Sequence, residues 1–105
     1  MAYHIVKAGL NALVRYCAVT LGEDGIRVNS IAPLTYLKDE SKHIYLDNPK
    51  MLQRYRRLVP LKRMPTAAEC ADAIRYLCSP QASFVSGQVL YVDGGVSAIW
   101  PEELA

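Results

Sequence analysis

The sequence has no pairable set of cysteines. Cys17, Cys70 and Cys78 are odd in number and form no Cys-x-x-Cys motif. Cys70 and Cys78 would lie about 12 Å apart along one helix, beyond the reach of a disulfide. All three stand among apolar neighbours and read as core thiols, which suits a reducing, cytoplasmic compartment. The two histidines, His4 and His43, lack metal-ligand spacing, which argues against zinc. No window approaches 18 uninterrupted apolar residues, so no membrane-spanning helix is expected. The opening segment carries Lys7 and Arg15 without a cleavage-like region, which argues against a signal peptide. A net charge of +2 is too small to argue for nucleic acid or a membrane surface. Repeats, low-complexity tracts and internal linkers are missing as well. At 105 residues, 51% of them hydrophobic, the chain is one domain at most, with a modest core.

What the sequence does contain begins at once. Met1 to Leu21 has no proline and one glycine, and its apolar or small residues cover almost the whole circumference of a helix. Such a helix must be covered on more than one side. Its polar residues, His4, Lys7, Asn11 and Arg15, form one narrow stripe. Tyr3 and Lys7, four apart, are neighbours on that surface. A phenol exchanges protons poorly at neutral pH, and an adjacent ammonium favours its charged form. The pair is therefore a candidate acid/base couple. Its bland alternative is a half-buried aromatic beside a snorkelling lysine.

Gly22-Glu23-Asp24-Gly25 reads as a turn, with Gly22 terminating the helix. Ile26 to Ala32 reads as a short strand covered on both faces and ended by Pro33. Asn29 within it either satisfies a buried backbone group or braces an active site. Tyr36 to Pro60 is the most polar and irregular stretch. Within it Asn48-Pro49 is an N-cap followed by proline at the first helical position, and Met51, Leu52, Tyr55, Leu58 and Val59 form one apolar face. Lys50, Arg54, Arg56 and Arg57 lie mostly elsewhere on that helix. They form either a solvated surface or a patch for an anionic substrate handle. Without interleaved aromatics they do not suggest nucleic acid.

Thr66-Ala67-Ala68-Glu69 is a capping box. It opens a helix whose Cys70, Ala71, Ile74, Leu77 and Cys78 share a face, and Ser79-Pro80 ends it. Gln88 to Val92 reads as a second strand, and Asp93-Gly94-Gly95 as a turn. The tail beyond it, with Trp100, either packs on a neighbouring subunit or is loosely held.

Four segments in order carry a resemblance. Tyr3-His4-Ile5-Val6-Lys7-Ala8-Gly9 resembles the Tyr-x-x-x-Lys helix of the short-chain dehydrogenase/reductase family. Gly25 to Pro33, Ala82 to Gln88 and Val89 to Gly95 resemble its following strand, the approach to its last strand, and that strand's ending. The resemblance implies an α/β fold: the C-terminal portion of a doubly wound, Rossmann-like parallel sheet, two parallel strands with about three to four helices. Residues 1–105 would then be a partial NAD(P)-binding domain whose N-terminal dinucleotide-binding half is absent, because no glycine-rich phosphate turn occurs. Residues 36–64 would be its substrate lid.

By the same resemblance Tyr3 would be the acid/base and Lys7 would assist it and hold ribose hydroxyls of NAD or NADP. Pro33, Leu34, Thr35 and Tyr36 would flank the nicotinamide, beyond the strand end where open sheets bind ligands. The family has glycine after this proline. Leu34 replaces it, which makes a positive φ costly and puts a side chain where backbone would approach a ligand. The family's threonine, four or five residues after the proline, is also missing; Lys38 and Asp39 stand there.

The implied function is an oxidoreductase moving hydride between a nicotinamide cofactor and a small carbonyl or secondary alcohol, the isolated chain being inactive. The alternatives are a non-catalytic, truncated oligomerisation piece and an acyl-carrier-protein reductase. A homo-oligomer is expected through the first helix, where Ala8 and Ala12 permit close approach, and through the C-terminal region.

Overall fold

In the computed structural model, residues 1–38, 40 and 42–100 are described. The chain divides into two compact units. One comprises Met1–Ile31 and Asp72–Leu90, the other Ala32–Ala71 and Tyr91–Ala105.

The first unit begins with helix α1, Ala2–Thr20. The absence of proline and the long apolar run account for its length. No α1 residue is buried, so the expected covering on more than one side is not met among the described residues. Val19 is 78% exposed and Tyr16 67%. At its end Leu21 remains right-handed, its N–H donating to Cys17 O. The left-handed residue is Gly25, at φ 73°, rather than the expected Gly22. A single 3-10 turn, Gly22–Asp24, intervenes and moves the reversal three residues along.

The strand expected from Ile26 is regular only as β1, Ser30–Pro33. Before it, side chains do much of the pairing. Val28 N–H donates to Ser86 Oγ at 3.2 Å, and Asn29 Nδ2 donates to Val85 O at 2.8 Å. Gln88 N–H donates in turn to Asn29 Oδ1 at 3.0 Å. Asn29 thus bridges backbone groups on the loop ahead of the second strand. Arg27 donates to Leu77 O at 2.7 Å, to Ser79 O and to Val85 O. A guanidinium thereby closes carbonyls at the end of helix α4, Ala67–Cys78. Strand β2 is Val89–Val92. Ser30 N–H donates to Gln88 O and Leu34 N–H to Val92 O. The partners advance in the same direction along both chains, so the two-stranded sheet is parallel.

In the second unit, helices α2, Lys42–Leu46, and α3, Pro49–Leu58, occupy the polar stretch. α3 starts as expected, with Asn48 Oδ1 accepting from Met51 N–H at 3.1 Å. α2 lies where irregular chain was expected, and Tyr45 sets its ring edge-on to Tyr55 of α3 at 6.5 Å. The capping box of α4 is formed. Glu69 N–H donates to Thr66 Oγ1, and Thr66 N–H donates to Glu69 Oε2 at 2.8 Å. Along α4 the expected apolar face is only partly covered. Cys70 and Leu77 are buried, whereas Ile74 is exposed. Cys78 is exposed and Cys17 half-buried, so only Cys70 of the three is a core thiol. Burial pushes the Cys70 thiol pKa up, with the Glu69 charge adding to it. The buried set among the described residues is Val59, Met64, Cys70, Leu77 and Ala82.

The turn after β2 is built on Asp93. Gly95 N–H donates to its Oδ1 at 3.0 Å and Ser97 N–H to its Oδ2 at 2.8 Å. Gly94, at φ 63°, lies so close to Val59 that an added Cβ would meet Val59 Cγ1 at 2.8 Å. Trp100 is exposed, and the rest of the tail lies outside the described residues. No described helix is long and apolar enough to cross a membrane.

Candidate active site

Tyr3 and Lys7 stand in the first two turns of α1, where a helical spacing of four puts them one above the other. The geometry bears this out. Lys7 Nζ lies 5.6 Å from the centroid of the Tyr3 ring, which is the range of a cation–π contact. His4 sets its ring edge-on to Tyr3, with centroids 5.7 Å apart. Both Tyr3 and Lys7 are exposed, so a small molecule can reach the phenol and the ammonium together. Lys7 makes no ion pair among the described residues. The arrangement offers an accessible phenol with an ammonium over its ring.

The other expected site residues, Pro33, Leu34, Thr35 and Tyr36, belong to the second unit. Leu34 takes no positive φ; among the described residues Lys62 alone does so without being glycine. Its N–H is used in the pairing with Val92, so the turn leaves the sheet as extended chain. Replacing glycine here has therefore been absorbed without strain. Pro33 and Thr35 are exposed, Tyr36 is half-buried, and Lys38 Nζ stands 5.6 Å from the Tyr36 ring centroid.

Leu34 also lines a cavity of about 330 Å³ together with Met51, Arg54, Tyr55, Leu58, Val59 and Val96. The amphipathic pattern of α3 supplies most of one wall. Met51, Tyr55, Leu58 and Val59 of its apolar face border this space. A cavity of this size is within the range of small-molecule sites, and its lining residues are apolar apart from Arg54 and Tyr55. All of these but Val96 stood out in the sequence, which could not show Leu34 and Val96 meeting α3, since they are separated along the chain.

A smaller recess is lined by Leu61, Arg63, Pro65, Glu69, Asp93 and Gly94. Its charges are already paired. Arg63 donates to both oxygens of Glu69, at 2.9 and 2.6 Å. The Arg63 bonds, then the Thr66 N–H, lower the Glu69 pKa to about 2. Burial pushes Asp93 up, but the bonds from Ser97 and Gly95 outweigh it and its pKa is lowered. These carboxylates fasten turns, so the recess is structural. No group of three or more metal-ligating side chains occurs among the described residues.

A family model described as "Enoyl-(Acyl carrier protein) reductase" matches residues 1–97. The chain is 43% identical over 94 residues to the 7alpha-hydroxysteroid dehydrogenase of Escherichia coli (strain K12), covering 90% of this chain and 36% of that protein. It is 40% identical over 99 residues to the peroxisomal 2,4-dienoyl-CoA reductase of Rattus norvegicus, covering 93% and 34%. Among solved structures it resembles an oxidoreductase of the short chain dehydrogenase/reductase family from Burkholderia thailandensis. The TM-score is 0.83 at 32% identity, covering 93% of this chain and 39% of that one. The chain thus spans about a third of the length of the curated relatives it matches.

Proposed function

Since this chain belongs to the short-chain dehydrogenase/reductase family, we propose that it carries the proton-transfer part of an NAD(P)-dependent oxidoreductase acting on a carbonyl compound or its secondary alcohol. The observation that carries the proposal is the placement of the Lys7 ammonium beside the exposed Tyr3 ring. In reduction the Tyr3 hydroxyl gives its proton to the carbonyl oxygen, and in oxidation it takes that proton back. Lys7 assists by holding its ammonium over the Tyr3 ring. Such a positioned proton donor contributes about 10²–10⁴-fold to rate.

The described residues suit one end of the cofactor. The exposed, unpaired Lys7 ammonium fits ribose hydroxyls, and the turn at Pro33, Leu34, Thr35 and Tyr36 is the proposed flank of the nicotinamide. They do not supply a backbone cradle for a pyrophosphate. The amides of Gly87 and Gly95 are spent on Val28 O and Asp93. When bound, NAD(P) would exchange the hydride. Residues 36–64 are the proposed lid over the substrate.

The test is Tyr3→Phe in the protein at its full natural length, with carbonyl-dependent NAD(P)H oxidation as the readout. A fall in kcat of about a hundredfold or more is expected, since the variant keeps the ring but lacks the transferable proton. Normal turnover by Tyr3→Phe refutes the proposal.

A second proposal has one observation in its favour, the unburied apolar surface of α1. On that reading the segment serves chiefly to associate with another copy of itself through α1 and the C-terminal region. The finer alternative, a reductase of carrier-bound acyl groups, is supported by the wording of the family match and by the basic surface of α3.

A further inference from the structure

The basic residues of α3 do not act as one group. Lys50, Arg54, Arg56 and Arg57 are all exposed, but of the four only Arg54 belongs to the cavity lining. The remaining walls come from Leu34, Met51, Tyr55, Leu58, Val59 and Val96. Among the described residues Arg54 makes no ion pair. A single unpaired guanidinium on an apolar wall limits what can fill the space. A wholly apolar occupant would leave the Arg54 charge without a partner. An occupant with an apolar body and an anionic end satisfies both parts of the lining, because a planar guanidinium pairs two donors with a carboxylate.

We infer that the cavity under α3 selects apolar carbonyl compounds bearing an anionic end group, with Arg54 as the residue that recognises the anion. The volume of about 330 Å³ accommodates a small aryl or alkyl body and leaves no room for a macromolecular partner. Leu34 contributes to this selectivity. Where glycine would leave the space open beside the turn, its side chain supplies apolar wall. The inference rests on the oxidoreductase proposal only for calling the occupant a substrate.

The test reads binding directly, without cofactor or turnover, on the protein at its full natural length. The probes are 4-oxo-4-phenylbutanoate and its neutral methyl ester. The acid is expected to bind about tenfold more tightly than the ester by calorimetry, with methyl shifts at Leu34, Met51 and Val96 in NMR spectra. Arg54→Gln should abolish the preference, while Arg56→Gln and Arg57→Gln should leave it intact. A second measurement needs no variant: raising ionic strength should weaken the acid and leave the ester unchanged. Equal binding of acid and ester, a preference that survives Arg54→Gln, or an identical salt response of both probes overturns the inference. Absence of hydride transfer with the preference intact would instead overturn the proposed reaction and leave this selectivity standing.

Discussion

Gly94 is the residue whose replacement the structure judges most severely. Its φ of 63° lies in the left-handed region, and an added Cβ would sit 2.8 Å from Val59 Cγ1. Val59 is 2% exposed and cannot swing away. Gly94→Ala should therefore lower stability by about 2–3 kcal/mol in urea unfolding, from backbone strain and overpacking together. Gly22→Ala, with no positive φ and nothing within 4 Å of the added carbon, should stay within about 0.5 kcal/mol of the parent.

Glu69 gives a pH signature. Its folded pKa of about 2 is below the ordinary 4.5, so it contributes stability that is fully present above the ordinary value. That contribution is lost as pH falls from there toward 2. A carboxyl titration followed by NMR should place Glu69 at the bottom of this window, and Glu69→Gln should flatten the acid limb of the stability curve. Thr66, Ala67, Ala68 and Glu69 announced the capping box in the sequence, because its partners are three residues apart. Arg63 joining it, six residues before Glu69, was not announced, since no local rule fixes that distance.

At the scale of elements, what the sequence made legible were the features held by neighbours in the chain. The length of α1, the start of α3 at Asn48-Pro49 and the start of α4 all follow from short spacings. What it concealed was decided across the chain. β1 is regular over fewer residues than its β-branched run suggested, because the side chains of Arg27 and Asn29 take over much of the pairing that precedes it. Cys78 looked like core from its helical face, yet the face is uncovered at that end. The candidate site shows the same division. The adjacency of Tyr3 and Lys7 on α1 followed from their spacing, whereas the role of Leu34 in a cavity depended on where α3 came to lie. Asn29→Ala should unpair Val85 O and Gln88 N–H and lower stability by about 1–3 kcal/mol in denaturant titration. The expected secondary sign is faster hydrogen exchange at Gln88.

For the whole molecule, few of the described residues are removed from water. Two of them, Leu77 and Ala82, fall in the first unit and three, Val59, Met64 and Cys70, in the second. A core of this size offsets little of the conformational entropy lost on folding. Meanwhile α1 leaves Leu13, Tyr16 and Val19 in solvent, a surface that association would cover. The 105-residue chain by itself should consequently either self-associate or melt without a sharp transition. Sedimentation at micromolar concentration with parallel calorimetry decides this. A cooperative transition in a clean monomer would refute it.

The turn that closes β2 has a consequence for chemical ageing. An aspartate followed by glycine is prone to cyclise, because the glycine nitrogen attacks a protonated side-chain carboxyl and the unhindered backbone permits the ring. In Asp93 both oxygens accept amide hydrogens from Gly95 and Ser97, and the group is kept ionised, the form that resists attack. Isoaspartate should accumulate at Asp93 in the unfolded chain well before it does in the folded one, so its content records how long the turn has been open.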